Sequence, residues 1–134
     1  MGSMQSINKI NYESIQYIVN NNNLRNYLLI NTLDNNNQSC LIKNTILPET
    51  EVSELNNYLK SNKNINIIIY GENCCDSKVI NKYNQLYKLG FKNLYVYIGG
   101  LFEWLLLQDI YGDDEFPTTT KILDILKYKG NKIF

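Results

Sequence analysis

The chain has 134 residues, an apolar fraction of 44% and no net charge, its 13 basic and 13 acidic side chains cancelling. That is the length of one domain with enough core to fold without disulfide staples. A neutral chain has no field to gather a phosphate backbone, so nucleic acid is not an expected partner, and no apolar run approaches the roughly 20 residues of a membrane span.

Histidine is absent. This removes Ser-His-Asp and Cys-His catalysis and most zinc sites, since zinc without imidazole wants four thiolates. The three cysteines, Cys40, Cys74 and Cys75, make an odd count with two adjacent. That pattern is no disulfide framework and suits a reducing, cytoplasmic compartment. Together they fall one ligand short of a closed zinc shell, so neither a metal nor a cofactor is expected. Met1-Gly2-Ser3 ahead of Met4 reads as an expression scar, leaving 4–134 as a single domain, and the polar start carries no secretory leader. Asparagine runs at 20–23 and 35–37, with abundant Ile, Lys and Tyr, fit an AT-rich coding genome.

In chain order, Tyr12, Ile15, Ile18 and Val19 have helical spacing, with Asn11 as the cap and the run from Asn20 as the end. Tyr27 to Asn31 reads as a short buried strand, Asp34–Gln38 as a polar loop, and Leu41-Ile42 as a second extended piece. Pro48 opens a helix at the first-turn position that tolerates proline, with Glu49 and Glu51 at its positive end and Val52, Leu55 and Leu59 as its apolar face. Asn64–Asn66 reads as a turn. Ile67-Ile68-Ile69-Tyr70 is β-branched and continuous, so it is a central strand.

Gly71–Asp76 is a loop, followed by a helix from Ser77 to Leu89. Its stripe is Val79, Ile80, Tyr83, Leu86, Tyr87 and Leu89, and Gly90 is its C-terminal stop. Leu94 to Ile98 is a further strand broken by Gly99-Gly100. Phe102 to Ile110 is a helix too apolar all round for a solvated element, so it is expected deep in the core or in a homodimer contact. Tyr95, Tyr97, Phe102, Trp104 and Tyr111 read as core and core rim. Asp113-Asp114-Glu115 lacks the alternating spacing of a calcium loop. Thr118 or Thr119 is expected to cap a last helix through Ile122, Leu123, Ile125 and Leu126. Alternating strands and helices with short connections predict a three-layer α/β/α domain on a mainly parallel sheet.

The order from Ile67 to Trp104 carries more than fold class. A buried strand, a tight loop, a helix, the pair Gly90-Phe91, a strand and Gly99-Gly100 followed by Trp104 resemble the second half of rhodanese-like (thiosulfate sulfurtransferase) domains. Leu29 to Leu33 and Leu41 to Ile46 fall where that family has an aliphatic pair before Asp-x-Arg and a His-Ile-Pro-Gly-type segment. The run from Gly99 to Gly112, with Phe116-Pro117-Thr118-Thr119 behind it, is similar to a subgroup from large DNA viruses and some protists, a source that would place the protein in a host cytoplasm or virion.

The resemblance implies an active loop at Gly71, Glu72, Asn73, Cys74, Cys75 and Asp76, and the departures lie there. The family's nucleophilic cysteine directly follows the strand; here that position is Gly71. The first-half aspartate is Asn31 and its companion arginine is Leu33. In such a loop, consecutive backbone N–H groups and a helix N-terminus surround one sulfur and stabilise its thiolate or persulfide. Without the first-position thiol the covalent intermediate cannot form. A phosphatase of the related architecture needs the same cysteine and a closing arginine, where this chain has Gly71 and Asp76.

The expectation is therefore a rhodanese-like pseudoenzyme acting as a non-catalytic binding or regulatory module, its fold retained for protein or small-anion binding. The alternative is an atypical sulfurtransferase or persulfide carrier using Cys74 with a small anionic sulfur donor, against which Glu72 and Asp76 would act. The adjacent thiols could also be redox-active, through a strained and labile disulfide.

Overall fold

The structure is a computed structural model describing residues 7–20 and 26–134; residues 1–3 and most of the first asparagine run lie outside them. Four parallel strands form the sheet: β1 (Lys9–Ile10), β2 (Tyr27–Asn31), β3 (Asn66–Tyr70) and β4 (Leu94–Tyr97), in the spatial order β1-β4-β3-β2. The helices are α1 (Tyr12–Asn20), α2 (Pro48–Ser61), α3 (Ser77–Leu89) and α4 (Gly100–Tyr111).

Strand alternation sends residues to two cores. Leu28, Ile30, Ile67, Ile69, Leu94 and Val96 face α2 and α3, where Leu55, Val79, Tyr83 and Leu86 meet them. Leu29, Ile68, Tyr70 and Tyr97 face α1 and α4, against Ile15, Ile18, Leu101 and Trp104. This is the three-layer α/β/α arrangement expected from the sequence. β3 carries apolar residues on both faces because both are covered, which is why its sequence is a run and not an alternation.

Local signals hold at several ends. The Asn11 side chain accepts from the Glu13 N–H at 2.9 Å. Gly90 ends α3 at φ +116°, a left-handed conformation that glycine adopts without strain, and its N–H reaches the Leu86 and Tyr87 carbonyls.

Five expectations need correction. On α2, Val52 is 66% exposed, while Glu51 is buried in an ion pair with Lys82. The helix rotates that carboxylate inward because α3 supplies its partner. Tyr87 and Leu89, on the expected stripe of α3, are also exposed, since the sheet covers only the face of Val79, Tyr83 and Leu86. Asn66, expected in a turn, already pairs with Tyr27 as the first residue of β3.

The expected last helix does not form. Thr118 makes an antiparallel bridge with Ile42, and the Thr119 N–H donates to the Leu41 carbonyl at 2.8 Å. The Thr119 and Thr120 hydroxyls both reach the Ser39 carbonyl. Threonines that spend their groups on a neighbouring segment cannot cap a helix. Only a 3-10 turn at Ile125–Tyr128 follows, anchored by the buried Tyr128, and Leu123 is exposed.

The fifth correction concerns the deep-core alternative for α4, which is not buried all round; the homodimer alternative is untouched by it. Leu101, Trp104, Leu105 and Gln108 are covered; Leu106, Ile110 and Tyr111 are exposed. Among the aromatics, Tyr97 and Trp104 are core and meet edge to face with ring centroids 6.2 Å apart. Tyr95 and Phe102 are half-buried at its rim, while Tyr111 is exposed.

Candidate functional site

Gly71–Asp76 joins the C-terminal end of β3, an inner strand, to the start of α3. In open parallel sheets this is where ligand-binding loops sit. Gly99-Gly100 explains how the loop is held. Gly100 has φ +68°, and a β-carbon on it would come within 2.8 Å of the Gly71 carbonyl oxygen. Glycine is required both by conformation and by the closeness of the two backbones. The Leu101 and Phe102 N–H groups then donate to the Gly71 and Glu72 carbonyls, each at 2.9 Å. The first turn of α4 therefore spends two of its free N–H groups on the loop's floor.

The inner side of the loop is occupied by the Asp76 carboxylate. Its Oδ2 accepts from the Glu72 N–H at 3.1 Å and from the Thr32 hydroxyl at 3.1 Å, while Oδ1 accepts from the Lys78 N–H at 3.0 Å. Asp76 is at once the N-cap of α3 and an anion held by the loop. A side chain at position 71 would enter the same space. A β-carbon there would fall inside the contact distance of Asp76 Oδ2 and 2.6 Å from Val79 Cγ2. The Asp76 carboxylate and any side chain at position 71 compete for one volume, and here the carboxylate has it.

The outer side is different. Asn73 pins it, accepting from the Cys75 N–H at 2.8 Å and donating from Nδ2 to the Tyr128 carbonyl at 2.9 Å. Cys74 and Cys75 are free and exposed, with their sulfurs 3.8 Å apart, and the hydrogen bond with Cys74 raises the Cys75 pKa. Glu72 is half-buried.

Asn31 and Leu33, the two first-half positions singled out by the sequence resemblance, serve the scaffold. Asn31 is buried and exchanges hydrogen bonds with the Gln38 side chain, Oδ1 accepting at 2.8 Å and Nδ2 donating at 3.1 Å. Its Oδ1 also accepts from the Leu33 N–H at 3.0 Å. Leu33 packs into the core beside α1 and α4. Cys40, the third thiol, is buried and donates to the Thr120 carbonyl at 3.3 Å, away from the other two. Among the described residues, no group of three or more His, Cys, Asp and Glu side chains could hold a metal ion.

Sequence reasoning placed the loop but missed what fills it. An aspartate directly before a helix start is a capping signal, and that could have pointed to Asp76. Thr32, 44 positions away in sequence, carried no signal at all. Below the loop, Tyr70 is fully buried, with its hydroxyl paired to Thr45 at 2.7 Å and accepting from the Ile42 N–H at 3.2 Å; burial raises its pKa. Tyr97 donates to Glu103 at 2.7 Å, and burial followed by that carboxylate raises its pKa also.

No family model matches the chain, and no curated protein matches it. Solved structures do match its fold. Yeast Ygr203w, described as a protein tyrosine phosphatase of the rhodanese family, is 17% identical with a TM-score of 0.60, covering 90% of this chain and 96% of that one. The rhodanese-like domain of Alr3790 from Anabaena is 17% identical with a TM-score of 0.60, covering 96% and 90%. The single-domain sulfurtransferase RDL2 of Saccharomyces cerevisiae is 18% identical with a TM-score of 0.55, covering 87% and 100%. The fold is therefore rhodanese-like. At such identities the likeness speaks for fold and leaves activity to the site.

Proposed function

We propose that this chain is a catalytically silent rhodanese-like domain that serves as a binding or regulatory module for a protein partner. One observation carries the reading: the volume a nucleophilic side chain would need at position 71 is taken by the Asp76 carboxylate. Sulfur transfer on this fold requires a thiol in the cradle to attack the donor and to carry the sulfane sulfur as a persulfide. Gly71 offers no thiol. The N–H of Glu72 and the hydroxyl of Thr32, which would greet an anion there, already bind Asp76. The same occupancy works against a small anionic donor, so a protein surface is the better partner. Phosphoester cleavage through a loop cysteine meets the same obstacle. The resemblance of the Gly99–Thr119 region to viral and protist proteins, together with three free thiols, supports a reducing intracellular setting.

A second reading, persulfide transfer through Cys74, draws on the exposure of that thiol. Incubation with thiosulfate and cyanide, followed by thiocyanate assay and intact-mass spectrometry, separates the two. The silent module forms no thiocyanate and gains no sulfur. Turnover abolished by Cys74→Ser would replace the first reading with the second.

A further inference from the structure

The exposed pair Cys74 and Cys75 has no part in the cradle and no role in the core. Its geometry is nevertheless defined. The turn that carries it is fixed through Asn73, which holds the Cys75 N–H on one side and the Tyr128 carbonyl on the other. The sulfurs stand 3.8 Å apart. Two thiolates bound at about 2.3 Å with a tetrahedral angle between them are themselves about 3.8 Å apart, so the spacing is already that of a bidentate sulfur ligand. A pyramidal centre with similar bond lengths needs only a slight closing of the pair.

What the surroundings lack narrows the ligand. No third thiol is near, since Cys40 is buried and engaged elsewhere, and no metal-holding group of three ligands exists among the described residues. A four-coordinate ion would be left half-bound. The loop from Gly71 to Asp76 carries no basic side chain that would draw an anion to the pair. A neutral, thiophilic centre that brings its own third substituent meets neither obstacle.

We propose that Cys74 and Cys75 form a dithiol capture site for trivalent organoarsenicals. With phenylarsine oxide the step is a condensation. Two As–S bonds form, the arsenic–oxygen double bond breaks, and the oxygen leaves as water with the two thiol protons. Arsenic stays trivalent and neither sulfur is oxidised, so no oxidant or reductant is required. The second sulfur acts at the high effective concentration set by its neighbour, which makes the cyclic adduct about 100-fold or more tighter than a single-thiol adduct.

The test is intact-mass spectrometry of the full chain titrated with phenylarsine oxide. The wild type and Cys40→Ser should gain one phenylarsenic group at equimolar reagent, removable by dimercaptopropanol. Cys74→Ser and Cys75→Ser should each need about 100-fold more reagent. Both positions are exposed, so circular dichroism should show these variants folded. Absence of an adduct on the wild type, or equal titration of the wild type and either single variant, would overturn the proposal.

Discussion

The inner and outer sides of the loop at 71–76 are built from neighbouring residues and do opposite things. Inside, Gly71, Glu72 and Asp76 form a closed set in which backbone donors meet an internal carboxylate. Outside, Cys74 and Cys75 present two thiols to solvent and accept nothing from the cradle. In the rhodanese-like arrangement the nucleophile and the anion-holding N–H groups share one point. In this chain the Asp76 carboxylate takes the Glu72 N–H, and the two thiols stand at the exposed positions 74 and 75. Presence of cysteine in such a loop therefore says little; its position relative to the donors decides the chemistry.

Placing a thiol on the inner side should be the most disruptive change. Gly71→Cys forces a side chain against Asp76 and Val79, and overpacking of this kind costs about 3 kcal/mol. Urea denaturation should show that loss, partly recovered in Gly71→Cys/Asp76→Ala. Equal stability of Gly71→Cys and wild type would mean that the inner volume is free.

The floor of the loop gives the next effect. Tyr70 and Tyr97 keep their protons in the fold more tightly than in the unfolded chain. Their contribution is complete below the ordinary tyrosine value near 10 and falls as pH rises above it, because only the unfolded chain then releases the protons. Each should remove about 1.4 kcal/mol of stability per pH unit there. Denaturation midpoints measured from pH 9 upward, in wild type and Tyr97→Phe, check this, the variant losing stability less steeply.

Removing the internal anion should cost less. Asp76→Ala takes away the α3 cap and leaves the Glu72 N–H without its acceptor, for about 1–2 kcal/mol. Replacing either outer thiol by serine should change stability by less than about 0.5 kcal/mol, since both are exposed. A larger loss by thermal melting would mean that the outer side supports the fold after all.

The fold was legible where the signal was local and strong. The β-branched run of β3, the proline start of α2 and the glycine stop of α3 specify their elements through the backbone itself, and β2 and α3 have the bounds their sequences suggest. What escaped depended on partners distant in sequence. Glu51 turns inward because Lys82 awaits it, and the threonines at 118–120 pair with Ser39–Ile42 in place of capping a helix. The site followed the same division. The loop's extent, from Gly71 to Asp76 between β3 and α3, could be read directly. The carboxylate that fills the loop could not, because its occupancy depends on Thr32 arriving from the end of β2.

The central claim, that the cradle is filled from within, can be read at one atom group. In an amide-resolved NMR titration with thiosulfate, the Glu72 and Lys78 N–H signals should stay in place in the wild type, while Asp76→Ala should show saturable shifts at Glu72 as the freed donors accept the anion. Saturable shifts at Glu72 in the wild type would contradict the account, because they would show that an external anion reaches those donors with Asp76 present.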